Sequence, residues 1–385
     1  MTTVDRAQPS GARDGPRELT IGVLADPGLP TEIATALAEG ELAEALTAKL
    51  SGPARWRVEV VPETLPLDEQ ASVPMAALGA RGRDAAGWDI TLYLTDLPRR
   101  TGTQPVVADL STRHAAALIS LPAVGWLRPR QQVRDTMVYL VGRLNEEQGP
   151  LPRRVTEWSS IVRETRSHDP DVDLSLALVG WRGQARLLAG MVRDNRPWQL
   201  VPHLASATAA AAAAAAFGIF YSSILGMAEA LPAWRLALIM VAAMAMLAGW
   251  LLVYNHMWEP PAGHRTPAEA MIYNASTAVT LMVGVACMYG ILYAISLAAA
   301  LLVLDDGYLS SQLGRPVGFG DYATLVWLAS SIGVAAGALG SSLDSEEAVL
   351  KAAYSRREQE RRARQRETAP PPRLSGFPAW NGEHS

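Results

Sequence analysis

Three aspartates, Asp26, Asp96 and Asp109, stand at or near the ends of short apolar runs that are typical of buried β-strands. In an open α/β sheet, ligands bind outside the carboxyl ends of the strands. Together with His114, these carboxylates could hold a small molecule or a metal ion, or supply general acid–base chemistry. The alternative is that each aspartate caps a local turn or helix, because Asp before Pro or Ser is ordinary turn chemistry.

We expect the three carboxylates to converge at one edge of the sheet, since neighbouring parallel strands end on the same side. Two carboxylates about 4 Å apart repel each other by about 1 kcal/mol in a water-like medium. A proton or a cation is therefore needed to neutralise them, and Arg99 or Arg113 could supply the positive charge.

Familiar catalytic motifs are absent from the sequence. No G-x-G-x-x-G follows the first predicted strand, and no Walker A, H-E-x-x-H or G-x-S-x-G pattern occurs. Asp169, Asp171 and Asp173 resemble the start of a calcium loop, but Leu174 occupies the place of the required Gly and no Glu closes the loop. We therefore expect a solvated turn at this position, and we expect neither a resident metal nor a cofactor.

The first half of the chain alternates between predicted strands and predicted helices. Apolar runs rich in β-branched residues predict strands over 18–25, 56–61, 89–95, 105–110, 115–121 and 173–179. Helical spacing of apolar residues predicts helices over 31–50, 130–145, 152–164 and 184–194. This alternation favours a layered α/β domain with a mostly open sheet over residues 18–198. Residues 1–17 have no apolar signal-peptide core and are expected to be disordered, so the domain is predicted to be cytosolic.

The second half contains four stretches that are long and apolar enough to cross a bilayer, which requires about 20 residues. The sequence predicts an all-α, four-helix transmembrane domain over 199–343, with spans at 205–227, 236–254, 278–304 and 322–339. None of the four contains Asp, Glu, Lys, Arg or His. Since ion and proton paths usually place such residues inside spans, a transporter is disfavoured. A pore lined by hydroxyls such as Ser222, Thr280 and Ser330 stays open as a less favoured alternative.

The third stretch is longer than one span needs, because its apolar character begins at Met271. Breaks near Gly284 or Gly290 would give pieces too short to span the membrane and an odd number of crossings. We therefore expect a single long helix that tilts or projects beyond the bilayer.

Basic residues mark both ends of the predicted membrane domain. Arginines between 182 and 196 precede the first span, and a basic run between 351 and 366 follows the last. The positive-inside rule then predicts a multi-pass protein of a bacterial plasma membrane with both termini in the cytosol. The tail over 344–385 reads as a charged helix followed by a Pro-rich segment. The helix at 184–194 either lies against anionic lipid headgroups or is a domain-surface helix with solvated arginines.

The lipid bilayer is the one partner that the composition indicates directly. The net charge of −4 gives no reason to expect nucleic acid as a partner. The one cysteine, Cys287, excludes a disulfide framework.

Small residues recur every four positions on the predicted fourth membrane helix: Ala329, Gly333, Gly337 and Ser341. Such a stripe lets another backbone approach closely. The neighbour is either another helix of the same bundle, which is the favoured interpretation, or a second copy of the chain in a homo-oligomer.

Several segments of the chain resemble a family of uncharacterised actinobacterial integral membrane proteins. The segments are IGVLADPGLP (21–30), LYLTDLPRR (92–100), PVVADLSTRHAAALISLPAVG (105–125) and RPWQLVPHL (196–204). The resemblance covers most of residues 20–340 and implies an N-terminal soluble α/β domain joined to membrane helices. Similar proteins sometimes bear a methylenetetrahydrofolate dehydrogenase label, but the missing dinucleotide fingerprint gives that activity no support in this sequence.

The favoured hypothesis is a non-enzymatic membrane protein in which a cytosolic α/β ligand-sensing or interaction domain is anchored by four helices. The second hypothesis is a membrane-tethered enzyme that uses the three aspartates and the histidine. Clustering of these four side chains around one pocket would favour the enzyme or ligand-site reading. A water-filled cavity at bilayer depth would favour a transporter.

Overall fold

The computed structural model describes residues 18–50, 55–68, 73–102, 104–145, 162–167, 169–259 and 267–341, together with Val349, Ala353, Tyr354 and Gln359 of the tail. The chain forms two compact units, one from Met1–Asp68 and Ser72–Asp194 and the other mainly from Asn195–Ser385. The predicted disorder of 1–17 lies outside the described residues, and so does nearly all of the predicted tail at 344–385.

A mixed sheet of eight described strands organises the first unit. The strands are β1 (Glu18–Ala25), β2 (Arg55–Pro62), β3 (Ile90–Thr95), β4 (Arg99–Thr101), β5 (Gln104–Ser111), β6 (Ala116–Ser120), β7 (Val162–Thr165) and β8 (Leu174–Leu178). They lie in the order β2-β1-β3-β6-β5-β8-β7, with β4 paired to β5. The β2-β1-β3-β6 half is parallel, and the other pairs are antiparallel. The predicted combination of a sheet with helices is confirmed.

The burial of the strands follows their place in the sheet. Every residue of β3 is buried, as expected for a central parallel strand covered on both faces. The edge strand β2 instead alternates between exposed and half-buried residues. On β1, Gly22 is required by packing, because a Cβ there would come within 1.7 Å of the Trp88 ring.

In the part of the unit that the structure describes, six helices accompany the sheet: α1 (Leu29–Ala38), α2 (Glu41–Lys49), α3 (Met75–Ala86), α4 (Leu121–Val124), α5 (Pro129–Leu144) and α6 (Gly180–Asp194). The predicted single helix over 31–50 is two helices, because Gly40 adopts a φ of +121° that interrupts the helix. The predicted helix over 152–164 is wrong at its end, where β7 pairs with β8. Residues 152–161 lie outside the described residues.

The second unit is helical throughout its described ranges. Its helices are α7 (Leu200–His203), α8 (Ala205–Phe220), α9 (Ser222–Ala230), α10 (Ala233–Tyr254), α11 (Pro267–Val303), α12 (Asp306–Leu313) and α13 (Phe319–Gly340), after a 3-10 turn at Pro197–Gln199. Among the described residues, three helical segments are long and apolar enough to cross a membrane: Ala233–Tyr254, Ala270–Val303 and Phe319–Gly340. The helical segment that ends at His203 would make a fourth together with Ala205–Phe220, across a bend of 60°. The helices are those expected of a membrane-embedded unit with three, or up to four, spans.

The first and third predicted spans differ in continuity. The first, predicted over 205–227, is divided at Tyr221, whose extended backbone separates α8 from α9. The third is one continuous helix, α11, of 37 residues, or about 55 Å at 1.5 Å per residue. Gly284 does not break α11. Instead, it lets the turn before α7 approach, since a Cβ there would lie 3.0 Å from the carbonyl oxygen of Pro197.

The small-residue stripe of α13 packs against α8. A Cβ added to Gly333 would lie 2.5 Å from the carbonyl oxygen of Ala211, and one added to Gly337 would lie 2.9 Å from a carbonyl oxygen one turn earlier on α8. Ala329 and Ser341 are buried as well. Packing within the bundle therefore accounts for the stripe, and a homo-oligomer through this helix stays a prediction.

Candidate functional site

The carboxylate of Asp26 is buried at the carboxyl end of β1 and is held by the neighbouring strand. The hydroxyl of Tyr93 donates to Oδ1 at 2.5 Å, and that of Thr95 donates to Oδ2 at 2.6 Å. The main-chain N–H of Asp26 donates to the carbonyl of Leu94 at 3.0 Å. With only 1% of its surface exposed, Asp26 joins β1 to β3 and does not project as an open acid.

The turn after β1 is closed by the conformation of Gly28 and by the hydroxyl of Thr31. Gly28 is the N-cap of α1 and adopts a φ of +103°, a conformation that favours glycine. The hydroxyl of Thr31 donates to the main-chain carbonyl of Asp26 at 2.7 Å. The Asp26 side chain therefore does not act as a helix cap, because its described hydrogen bonds are with Tyr93 and Thr95 of β3.

Asp96 lies at the same edge of the sheet as Asp26. It directly follows β3, which is parallel to β1 and adjacent to it. The chain passes from β1 to β2 on one side of this pair, and from β3 to β5 and β6 on the other. The boundary between β1 and β3 is therefore a topological switch point, where open α/β sheets bind ligands. The structure brings these two candidate residues together at that point, and Asp96 is 7% exposed.

Asp109 lies within β5 and does not reach that edge. β5 runs antiparallel to β6, so its end points away from the edge that carries Asp26 and Asp96. The expectation that all three carboxylates converge is wrong for Asp109, because β5 reverses direction. Its Oδ2 pairs with Arg99 at 2.7 Å, and its Oδ1 accepts a hydrogen bond from Ser175 at 2.6 Å.

His114 lies at the opposite edge of the sheet. It stands in the turn before β6, whereas Asp96 follows β3, the parallel neighbour of β6. The two edges are separated by a strand of five residues, about 16 Å at 3.3 Å per residue. His114 Nε2 lies 3.4 Å from Oδ1 of Asp171, which also faces Arg113 at 3.9 Å. The histidine therefore does not join the carboxylates at the switch point.

Sequence reasoning missed the two hydroxyls that hold Asp26. Tyr93 and Thr95 are two residues apart on β3, so their side chains share one face of the strand. Hydroxyl-bearing residues two positions apart inside the otherwise apolar run ITLYLT are the sequence signal that could have identified them. A third hydroxyl, that of Ser120, closes the next turn by donating to the carbonyl of Leu97 at 2.7 Å.

Two arginines of α6 bind the segment that follows β6. Arg186 donates to the carbonyl of Val124, and Arg193 donates to that of Gly125 and pairs with Asp194 at 2.7 Å. Burial, aided by the nearby Arg193, lowers the pKa of Arg186 to about 10. Arg193 is buried, so it is neither in contact with lipid headgroups nor solvated. Its hydrogen bonds hold α6 against the rest of the α/β unit.

The turn with the calcium-like spacing is held by internal hydrogen bonds. Asp173 Oδ2 accepts from the main-chain N–H of Thr112 at 2.7 Å and from its hydroxyl at 2.6 Å. These bonds hold the pKa of Asp173 below its usual value. Asp169 accepts from the main chain of Asp171 at 3.0 Å. Among the residues that the structure describes, no group of three or more His, Cys, Asp or Glu side chains is placed to hold a metal ion.

In the helical unit, a charged cluster joins the end of α9 to the start of α13. Arg315 donates to Glu229 at 3.0 Å and to both oxygens of Asp321 at 2.6 and 3.2 Å. These bonds raise the pKa of Arg315 above its usual value. A cavity of about 230 Å³ lies beside the cluster, with walls that include Leu225 and Trp327.

The hydroxyls considered for a pore are enclosed by packed helices. Thr280 and Ser330 are both fully buried, and Thr280 accepts a hydrogen bond from Asn195 at 3.1 Å. The side chain of Ser222 lies outside what the structure describes.

Comparison with known proteins adds no assignment: no family model matches this sequence, and no curated protein matches it. The functional argument therefore rests on the geometry of the two units.

Proposed function

We propose that this protein is an integral membrane protein whose α/β unit is a cytosolic ligand-binding domain, anchored by four transmembrane helices. The observation that carries the proposal is the placement of Asp26 and Asp96 at the switch point between β1 and β3. A small molecule bound there would contact the turns that follow both strands, and binding would serve sensing or recruitment of a partner.

Binding is favoured over catalysis by the way the acidic groups are held. Both carboxylate oxygens of Asp26 accept short hydrogen bonds from β3, which fixes the side chain as a structural link. General acid–base catalysis commonly uses a histidine within hydrogen-bond reach of the reacting group. His114 is at the other edge of the sheet, so the proposed enzyme would lack its acid–base partner.

The membrane assignment is supported by the surface of the helical unit. Large apolar side chains stand exposed along α10 and α11, among them Val253 and Leu302, the latter 87% exposed. Lipid rather than water is the natural environment of such a surface. Counting α8 with its neighbouring helical segments as one crossing gives four spans, and the basic residues at both ends of the sequence then favour a cytosolic location for both termini. The resemblance to actinobacterial membrane proteins agrees with a bacterial plasma membrane.

Mass spectrometry of small molecules retained by the detergent-purified full-length protein tests the ligand site. Three proteins are compared: wild type, Asp96→Asn, and Asp171→Asn as a matched control at the opposite sheet edge. We expect one compound to be retained by wild type and control and to fall about tenfold in Asp96→Asn, the effect of about 1.4 kcal/mol of binding free energy. Equal retention by all three proteins, or retention of nothing by wild type, would contradict the proposal.

A further inference from the structure

A groove lies between α8 and α11 in the helical unit and encloses about 280 Å³. Alanines from both helices make it concave, including Ala212, Ala216 and Ala299. Bulkier side chains that line the groove are also strongly exposed at the surface of the unit: Phe220, Ile295 and Val303. The groove is therefore continuous with the exposed apolar surface of the spans.

The chemistry of the groove is almost purely apolar. Among its described lining residues, two have polar side chains, Thr208 and Ser296, and none is charged. The hydroxyl of Thr208 donates to the carbonyl of Leu204 in the preceding turn at 2.7 Å, so its hydrogen is already bonded. A water-soluble ligand would find little to pair with here, whereas a hydrocarbon chain needs no partner.

We infer that this groove binds one acyl chain of a membrane phospholipid. Both walls belong to helices at bilayer depth, where the surrounding solvent is acyl chains and not water. A concave apolar surface in that setting is filled by the chain that fits it, because an empty groove would forfeit dispersion contacts along its length.

The length of the groove agrees with one leaflet. Its lining residues extend over 208–220 on α8 and 291–303 on α11, which is about 18 Å on each helix at 1.5 Å per residue, and Leu304 lines it directly after α11. Half of a hydrocarbon core of about 30 Å is about 15 Å. One end lies next to Asp305, where the apolar run of α11 stops and the chain becomes polar. The headgroup of the bound lipid would lie at this end, and its acyl chain would run toward the bilayer centre.

The inference rests on the membrane insertion proposed above but not on the ligand site of the α/β unit. A second copy of this chain would also be apolar, but it would have to present a narrow ridge to enter a concave groove. Competition between these two occupants is therefore part of the test.

Native mass spectrometry of the full-length protein, extracted in a mild detergent, counts the phospholipids that stay bound. Ala216→Phe fills the groove from α8, and Ala299→Phe fills it from α11. Ala213→Phe is the matched control, since Ala213 is an exposed alanine of α8 that does not line the groove. We expect wild type and control to retain one phospholipid, and each groove variant to retain about tenfold less.

Three results would overturn the inference. The first is equal retention by all four proteins, and the second is equal loss in the Ala213→Phe control. The third is a dimer mass that both groove variants abolish while lipid retention is unchanged, which would make the groove an interface between copies. Recovery of each variant in the membrane fraction distinguishes loss of lipid from failure to insert. Because the two groove variants fill the groove from different helices, misfolding of one variant does not decide the test.

Discussion

The hydroxyl of Tyr93 lies 2.5 Å from Oδ1 of Asp26, so a residue inside β3 holds the carboxylate that ends β1. The same hydroxyl accepts a hydrogen bond from the main-chain N–H of Leu65 at 3.3 Å. Tyr93 thereby connects the segment after β2 to the switch point. Both it and Asp26 are almost completely buried, and this makes the pair sensitive to loss of either partner.

Replacing Tyr93 with Phe should lower the free energy of unfolding by about 1–3 kcal/mol, because a buried acceptor, Oδ1 of Asp26, loses its donor. Chemical denaturation of the full-length protein, followed by a probe in the α/β unit, measures the change. The double variant with Asp26→Asn is the control. The Tyr93→Phe effect should shrink in that background, since the carboxyl group to which the hydroxyl donates is no longer there. An unchanged stability in the single variant would show that the bond contributes nothing.

The sequence predicted much of the sheet because its strands are buried apolar runs bounded by turns. It missed β4 and β7, which are short and lack an apolar pattern, with sequences RRT and VRET. Such strands are specified by their pairing partners β5 and β8 and not by their own composition. The helix over 31–50 was predicted as continuous because apolar spacing persists across Gly40, while the break depends on a positive φ that spacing does not reveal.

The candidate site was predictable only for the residues that follow parallel strands. Asp26 and Asp96 came to one edge because each directly follows a strand of the parallel half. Asp109 and His114 do not reach this edge, because β5 runs antiparallel to β6. The order of the strands along the sequence does not reveal in which direction β5 runs. The direction of a strand depends on long-range pairing.

Leucine at Gly333 or Gly337 should destabilise the helical unit, because both positions face backbone atoms of α8 within 3 Å of an added Cβ. Gly290→Leu is the matched control on α11, where an added Cβ meets nothing within 4 Å. Thermal unfolding in detergent should show a clear fall for the first two variants and little change for the third. If all three behave alike, the packing of α13 on α8 is not what these glycines provide.

The hydrogen bonds to Asp173 predict a pH-dependent contribution to stability. The pKa of Asp173 in the folded chain is lowered from its ordinary value of 3.8, first by the Thr112 hydroxyl. Its ionised form therefore adds stability above the unfolded-state pKa, and this contribution is lost as the pH falls through the folded-state pKa.

Thr112→Val should therefore destabilise the protein near neutral pH, and the difference from wild type should shrink as the pH is lowered below about 4. Denaturation across that range measures it. Thr47→Val is the control, because the Thr47 hydroxyl donates to the carbonyl of Ala43 in its own helix, and within the described ranges it bonds to no ionisable group. A Thr112→Val difference that stays constant with pH would contradict the link to Asp173.

Whether the divided helix at 205–230 crosses the membrane decides on which sides the two ends of the protein lie. Three crossings would place the α/β unit and the C-terminus on opposite sides, whereas four place them together. The central claim of a cytosolic α/β unit on four spans therefore depends on this segment.

Accessibility of single introduced cysteines to an impermeant maleimide in intact cells tests that claim most directly, in a Cys287→Ser background. The positions are Arg57, exposed on β2, together with Trp234, Gly314 and Ser385. We predict labelling of Trp234→Cys and Gly314→Cys in intact cells, and labelling of Arg57→Cys and Ser385→Cys only after permeabilisation. Labelling of Arg57→Cys from outside, or opposite results for Arg57→Cys and Ser385→Cys, would contradict the account.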